Sequence, residues 1–166
     1  MLRPLITFQA QTTQKSDLEL NVRSVEDVPG HLPPENQANL ARIHRPQVLV
    51  LMIDLTDRNC RTWVRDFFKA YRGELSTKAR WPRHGLSCLA ILMNKYDKVT
   101  EATKSMRERH FRKLLPARLG DVLENDLIAS TPILPCICVA NTHGTHSTQY
   151  IDQAILAIAK RIAKRG

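Results

Sequence analysis

LSCLAILM (Leu86 to Met93) is an unbroken apolar run, and the polar residues NKYD (Asn94 to Asp97) follow it directly. Two runs of the same kind occur in the chain: QVLVLMIDL (Gln47 to Leu55) and ILPCICVA (Ile133 to Ala140). Continuous Val, Ile and Leu are typical of strands that are covered on both faces. We therefore expect three neighbouring strands in a mostly parallel sheet.

Segments with helical periodicity alternate with these runs, which is typical of an α/β fold. We predict four helices, over about 33–44, 59–72 and 104–115 and over a C-terminal segment behind Ser147 or Thr148. Leu40 and Ile43 are expected to face the core from the first helix. The second helix is expected to place Trp63, Phe67 and Tyr71 on one stripe. Gly73 is expected to end it, because glycine is common just past a helix C-terminus.

The N-terminal region predicts an antiparallel hairpin at the edge of the sheet, since Leu5 to Ala10 and Leu18 to Val25 flank a polar stretch. With 166 residues, the whole chain (1–166) has the size of one domain. Its composition, 43% hydrophobic and 25% charged residues, excludes the disordered, collagenous and disulfide-scaffold classes.

The sequence also bears on the compartment. No apolar run reaches the roughly 18 residues that a membrane-spanning helix needs, and Met1 to Ala10 lacks the features of a signal peptide. Four cysteines without a C-x-x-C pair are too few for a secreted, disulfide-built domain. We expect a cytoplasmic protein with free thiols.

The net charge of +9 is concentrated in two clusters: Lys104, Arg107, Arg109, Arg112, Lys113 and Arg118, and Lys160, Arg161, Lys164 and Arg165. Such clusters can mark nucleic acid, an anionic lipid or another acidic partner. Basic helix faces are also often simply solvated. Charge alone leaves these alternatives open.

The NKYD tetrapeptide matches the pattern N-K-x-D and is predicted to lie at the carboxyl end of a central strand, where open α/β sheets bind ligands. In that position the Asp97 carboxylate can accept hydrogen bonds from N1–H and the exocyclic amine of guanine, groups that adenine does not offer. The Lys95 stem can cover the face of the base. The alternative is a surface helix start with Asp97 as its cap.

Two further motifs follow predicted strands. Asp27 to His31 (DVPGH) matches D-x-P-G-H, in which Gly30 lets its backbone N–H approach a terminal phosphate and Asp27 can reach Mg²⁺ through water. The same residues also suit a tight turn. At the end of the last run, the small residue Ala140, followed by Asn141, lets a backbone N–H meet the guanine oxygen.

In this order the three motifs resemble those of the GTP-binding domain of Ras-like and translation-factor GTPases, over nearly the full length of the chain. The resemblance implies a three-layer fold, GTP with Mg²⁺ as ligands, and a protein effector or partner in a regulatory, signalling role. It also implies that His31 positions the attacking water and that Thr7 binds Mg²⁺. Asp54 lies where the family often keeps a non-catalytic Asp. Guanine would be read by Asn94, Lys95 and Asp97.

The chain departs from this family in the phosphate-binding loop G-x-x-x-x-G-K-[ST], which needs two glycines five positions apart. The six glycines of the sequence are separated by 43, 12, 35, 24 and 22 positions. We expect the loop, with the first strand and helix, to precede Met1 in a longer native form, and the chain as given to bind nucleotide poorly. The competing hypotheses are a pseudo-GTPase interaction module and a basic nucleic-acid-binding domain.

In this family the first strand lies between the equivalents of Leu18 to Val25 and Gln47 to Leu55. Without it, the gap between those strands would span about 9 to 10 Å and leave backbone groups unpaired. We therefore expect either direct pairing of the two strands or a strand from another chain between them.

Two weaker patterns complete the sequence-based hypotheses. Cys136, Cys138, His143 and His146 could hold Zn²⁺, although cysteines in an apolar strand more often serve as small hydrophobic residues. The segment Arg80 to His84 (RWPRH) could stack on a nucleic-acid base, or could be an ordinary exposed loop.

Overall fold

Strands and helices alternate along the chain in a computed structural model, which describes residues 6–10, 18–22, 32–44, 46–77, 86–121, 123–137 and 148–163. The elements in chain order are β1 (Ile6–Ala10), β2 (Leu18–Val22), α1 (Pro34–His44), β3 (Val48–Asp54), α2 (Cys60–Thr77), β4 (Cys88–Asn94), α3 (Glu101–Leu119), α4 (Asn125–Ala129), β5 (Ile133–Pro135) and α5 (Thr148–Ala163). The expected α/β organisation is confirmed.

The three apolar runs form one parallel sheet in the order β3-β4-β5, as predicted. Val48 is paired with Cys88 at one end of the β3–β4 ladder, and Ile91 with Ile133 in the β4–β5 ladder. Parallel strands that are neighbours in this way need crossover connections, which the intervening helices supply. The central strand is β4.

Helices cover the two faces of this sheet unequally. Side chains of α1, α2 and α3 pack with one face in the main core, whereas Ala154 of α5 packs with Leu92 and Cys136 on the other. Every residue of β4 before Asn94 is buried. In β3, however, Val50 and Met52 are 39% and 52% exposed. The expectation that both faces are covered is therefore right for β4 and wrong for β3, because the residues of α5 pack over β4 and β5.

Aromatic side chains of α2 provide much of the bulk of the core. Trp63, Phe67 and Tyr71 form the predicted stripe, with ring centroids 5.4 and 6.0 Å apart. Phe111 of α3 is completely buried in the same cluster. Burial of each such aromatic side chain contributes roughly 1.5–3 kcal/mol. The helical periodicity of this segment therefore identified the core face correctly.

The predicted N-terminal hairpin is present, with β1 antiparallel to β2 and Ile6 paired with Val22. It is a separate two-stranded sheet, however, and not the edge of the parallel sheet. Among the described strands, β2 does not pair with β3, so direct pairing is not observed. The two strands of the hairpin pair with each other. Helix α5 contacts both the hairpin and β4, and it therefore connects the two sheets.

The helices differ from the predictions in several details: α3 is longer at both ends than the predicted 104–115, and the short α4 was not predicted. The second helix does not end at Gly73 but continues to Thr77, because a single exposed glycine within a helix costs only about 1 kcal/mol. In α1, Ile43 is 62% exposed, while Ala38 and Ala41 are the residues that enter the core. Small side chains allow α1 to lie close to α2, which it contacts extensively.

Within the described ranges, no helix is long and apolar enough to cross a membrane. Cys60, Cys88 and Cys136 are buried thiols that form no disulfide, as expected at these positions.

We predict that Gly73→Ala stabilises the protein by about 1 kcal/mol. A Cβ at this position would meet no atom within 4 Å, and alanine favours the helix over glycine. The matched control is Gly120→Ala, whose Cβ would lie 2.5 Å from the Pro116 carbonyl oxygen and should destabilise the fold. Urea denaturation of both variants measures the difference, and equal effects would contradict the described path of α2.

Candidate functional site

The NKYD residues form the connection between β4 and α3. Asn94 is the last residue of β4, and Tyr96–Lys98 form a single 3-10 turn. Thr100 then caps α3, accepting a hydrogen bond from the Thr103 backbone N–H. The motif therefore begins at the carboxyl end of the central strand, and the cap of the following helix is Thr100 instead of Asp97.

Lys95 has an unusual backbone conformation. Its φ of 54° and ψ of 37° lie in the left-handed region, and among the described residues no other non-glycine residue has a positive φ. For an L-residue this conformation costs roughly 1–2 kcal/mol. It is stabilised by two hydrogen bonds: Lys95 N–H donates to Asn94 Oδ1 (2.8 Å), and Lys98 N–H donates to the Lys95 carbonyl (2.9 Å). Such strained positions are concentrated at binding sites.

Both neighbouring strands hold this loop in place. Leu55 N–H, just after β3, donates to the Asn94 carbonyl (3.1 Å). On the other side, Tyr96 N–H donates to the Cys136 carbonyl (3.3 Å) and Cys136 N–H donates to the Met93 carbonyl (2.9 Å). The backbone of the motif is thus fixed relative to the whole parallel sheet.

Asp54, at the end of β3, positions the side chain of Lys95. Its Oδ2 lies 2.6 Å from Lys95 Nζ, and its Oδ1 accepts hydrogen bonds from the backbone and hydroxyl of Thr56 (2.9 and 2.6 Å). Burial raises the pKa of Asp54, but the hydrogen bonds from Lys95 and Thr56 outweigh it, so the pKa lies below its ordinary value. The carboxylate is charged at neutral pH, which keeps the ion pair intact.

Asp97 is differently placed. Its side chain is 36% exposed, and its described interaction is an ion pair with Lys98 Nζ at 3.2 Å. Within the described residues it accepts no hydrogen bond from the backbone. A carboxylate has about four acceptor positions. Asp97 therefore retains the capacity to accept from an external N–H group.

An aromatic and cationic contact lies beside the motif. The rings of Tyr96 and Tyr150 are 6.4 Å apart, and Lys104 Nζ lies 4.3 Å from the Tyr96 ring centroid. Lys104 also pairs with Glu101. The sequence analysis assigned Lys104 only to the basic cluster and did not predict this arrangement. The i,i+3 spacing of Glu101 and Lys104 could have predicted their ion pair.

For the remaining predicted residues, the structure describes little or nothing. Thr7 lies in β1, paired with Asn21, and its side chain is outside the described part. The other predicted phosphate, metal and base contacts also lie outside the described residues: Asp27, Gly30, His31, Ala140 and Asn141. Their roles stay predictions.

Metal binding was expected for Mg²⁺ and considered for Zn²⁺. The described ranges contain no group of three or more His, Cys, Asp or Glu side chains that could hold a metal ion. Of the four residues considered for zinc, Cys136 is described, and it is buried beside α5. The other three, with the segment Arg80 to His84, lie outside the described residues.

The first basic cluster is not uniform in structure. All six of its residues lie on α3, but Arg107 is buried, and Arg112 donates two hydrogen bonds to Glu108 (3.0 and 2.9 Å). In the second cluster, Arg161 donates to the Asp126 carbonyl (2.8 Å). Among the described residues of the two clusters, Arg107, Arg112 and Arg161 are therefore not free, solvated cations.

No protein-family model matches this chain, and no curated protein sequence matches it.

We predict that Asp54→Asn lowers the free energy of unfolding at pH 7 by up to about 1 kcal/mol, a small effect because both partners are more than one third exposed. The native pKa of Asp54 is depressed, so this contribution is present above the unfolded pKa and is lost as pH falls through the folded pKa. Urea denaturation should show the two proteins converging from about pH 5 toward pH 2. Asp97→Asn serves as the control with little change, and a constant difference at all pH values would contradict the ion pair.

Proposed function

We propose that this chain is a guanine-nucleotide-binding domain of the Ras-like and translation-factor GTPase type, in which the NKYD loop recognises the base. The observation that carries the proposal is the position of this motif at the carboxyl end of the central parallel strand, with an exposed Asp97 carboxylate. The left-handed conformation of Lys95 supports a binding role, since it is a strained position held by several contacts.

The chemistry of the loop suits guanine. Asp97 can accept from N1–H and from the exocyclic amine, and charge-assisted hydrogen bonds of this kind contribute about 1.5–3 kcal/mol each. Adenine has neither the N1–H nor the exocyclic amine at that position, so it cannot donate this pair of hydrogen bonds to Asp97. The stem of Lys95, anchored through Nζ to Asp54, can cover the face of the base.

The edge of the sheet gives further support. In the described sheet β3 has β4 as its neighbour on one side only, and its Val50 and Met52 side chains are exposed. The resemblance assigns the first strand of the family to this side of β3. That strand and the helix after it would cover the open edge and both side chains.

Hydrolysis requires more than the base site. By the resemblance, a longer form would supply the phosphate-binding loop, Mg²⁺ would be held with Asp27 and Thr7, Gly30 would contact the last phosphate, Ala140 and Asn141 the base, and His31 would position water. The second candidate is a pseudo-GTPase interaction module. The observation in its favour is that no two of the six glycines have the spacing of that loop.

We predict that the chain as it exists binds GMP weakly, with a Kd on the order of 1 mM, because the contacts to the base act without the help of a phosphate-binding loop. Titration with GMP should shift the backbone NMR signals of residues 94–98, whereas AMP should not. Asp97→Asn should weaken GMP binding and favour XMP, in which a carbonyl replaces the exocyclic amine and can accept from the amide.

The control for this experiment is Asp126→Asn on α4, which also removes one exposed carboxylate but lies outside the loop. It should leave the GMP and AMP titrations unchanged. Equal shifts with GMP and AMP, or no change on replacing Asp97, would refute guanine recognition by this motif and favour the interaction module.

A further inference from the structure

The side of α3 that faces away from the core carries a groove. Phe111 and Leu114 are buried on the core side of this helix. Residues two positions away from them are rotated by about half a turn and lie on the opposite side. The groove on that side has a volume of about 340 Å³, and its lining residues are Ser105, Glu108, Arg109, Arg112 and Lys113. All of them except Glu108 are exposed.

The groove has an excess of positive charge. It contains three basic residues and one acidic residue, which gives a formal charge of +2. Arg112 donates two hydrogen bonds to Glu108 (3.0 and 2.9 Å), so these two side chains neutralise each other. Neither Arg109 nor Lys113 forms an ion pair with a described residue. The groove therefore presents two cations that are available to an external anion.

Arg109 and Lys113 are adjacent on the helix surface. An i,i+4 spacing brings their Cβ atoms to about 5–6 Å from each other, and two like charges at this spacing destabilise a helix by about 0.2–0.5 kcal/mol. A ligand with closely spaced negative charges would replace this repulsion with two favourable contacts. The guanidinium and ammonium groups both bind phosphate oxygens, and the Ser105 hydroxyl can donate to one as well.

The other side chains of this face restrict the kind of polyanion. The groove is lined by no aromatic residue, so it offers no surface on which unpaired bases could stack. An interfacial membrane helix needs several large apolar residues beside its cations, whereas α3 exposes Met106 (46%) as its large hydrophobic side chain. These features favour the phosphate backbone of a duplex over a single strand or a lipid surface.

We propose that this face of α3 is a docking surface for duplex DNA, in which Arg109 and Lys113 contact backbone phosphates. The major groove of B-form DNA admits an α-helix, whereas that of A-form RNA is too deep and narrow for side chains to read. Binding is independent of base sequence, because the groove contributes cations and a hydroxyl. The net charge of +9 of the whole chain adds long-range attraction.

This surface goes beyond guanine recognition and does not depend on it. The NKYD loop occupies residues 94–98, whereas the groove lies at residues 105–113. A failure of GMP binding would therefore leave the DNA experiment unaffected, and the reverse is also true.

The experiment measures fluorescence anisotropy of a labelled DNA duplex of about 20 base pairs, titrated with the intact chain at several concentrations of KCl between about 50 and 200 mM. We expect a Kd in the micromolar range at low salt that increases steeply with salt. Two duplexes of unrelated sequence should bind within about twofold of each other. An RNA duplex of the same length should bind more weakly.

A pair of double variants separates the groove from the general charge of the chain. Arg109→Gln/Lys113→Gln should weaken DNA binding at least tenfold at low salt and reduce the slope of log K against log salt by about 2, since two phosphate contacts are lost. Arg58→Gln/Lys160→Gln makes the same change in net charge at exposed positions in the turn before α2 and on α5. It should change the affinity less than twofold and leave the slope unchanged.

A single substitution gives a test in the opposite direction. Glu108→Gln removes the carboxylate of the groove and releases Arg112, so DNA affinity should increase about threefold. The control is Glu35→Gln, which removes an exposed carboxylate from the first turn of α1 and should have less than half of this effect. Urea denaturation should show that the groove variants are as stable as the parent, because the altered side chains lie outside the core.

Several results would overturn the proposal. One is an equal loss of affinity in the two double variants, which would assign binding to net charge. Another is tighter binding of the RNA duplex than of the DNA duplex. A third is binding of phosphatidylserine vesicles or of a polyglutamate peptide that matches the affinity for DNA and depends equally on Arg109 and Lys113, which would identify a lipid or an acidic protein as the partner.

Discussion

The other described elements depend on one constraint: β4 is buried on both faces and hydrogen-bonded along both edges. The strand pairs with β3 and β5, and its residues before Asn94 are all buried. A polar side chain within such a strand is unfavourable unless it is hydrogen-bonded. Polar residues are therefore favoured at its carboxyl end, and this is where the NKYD loop begins.

The loop combines local strain with extensive support. The left-handed backbone of Lys95 is unfavourable in isolation, but hydrogen bonds link the loop to the ends of β3 and β5. The ion pair with Asp54 adds a side-chain connection to β3. Because these contacts arise from three strands, the orientation of Asp97 depends on correct formation of the whole sheet. Binding by this carboxylate would consequently be coupled to the stability of the fold.

The sequence was sufficient to predict the strands and the aromatic core, because continuous apolar runs and the spacing of Trp63 and Phe67 are strong periodic signals. It was insufficient for features that depend on tertiary contacts. The burial of Arg107 is one of these, since a helix pattern gives no reason for an arginine to face the core. The Asp54–Lys95 pair is another, because its residues are distant in sequence and meet only when β3 and β4 are in register.

The composition of β3 gives a further argument about its neighbours. Natural edge strands are protected by charged residues, proline or bulges, whereas VLVLMID contains no basic residue or proline and exposes Val50 and Met52. Its apolar character is that of an interior strand. The open side of β3 in the described sheet is thus suited to pairing with another strand, and Val50 and Met52 to contact with a second layer above it.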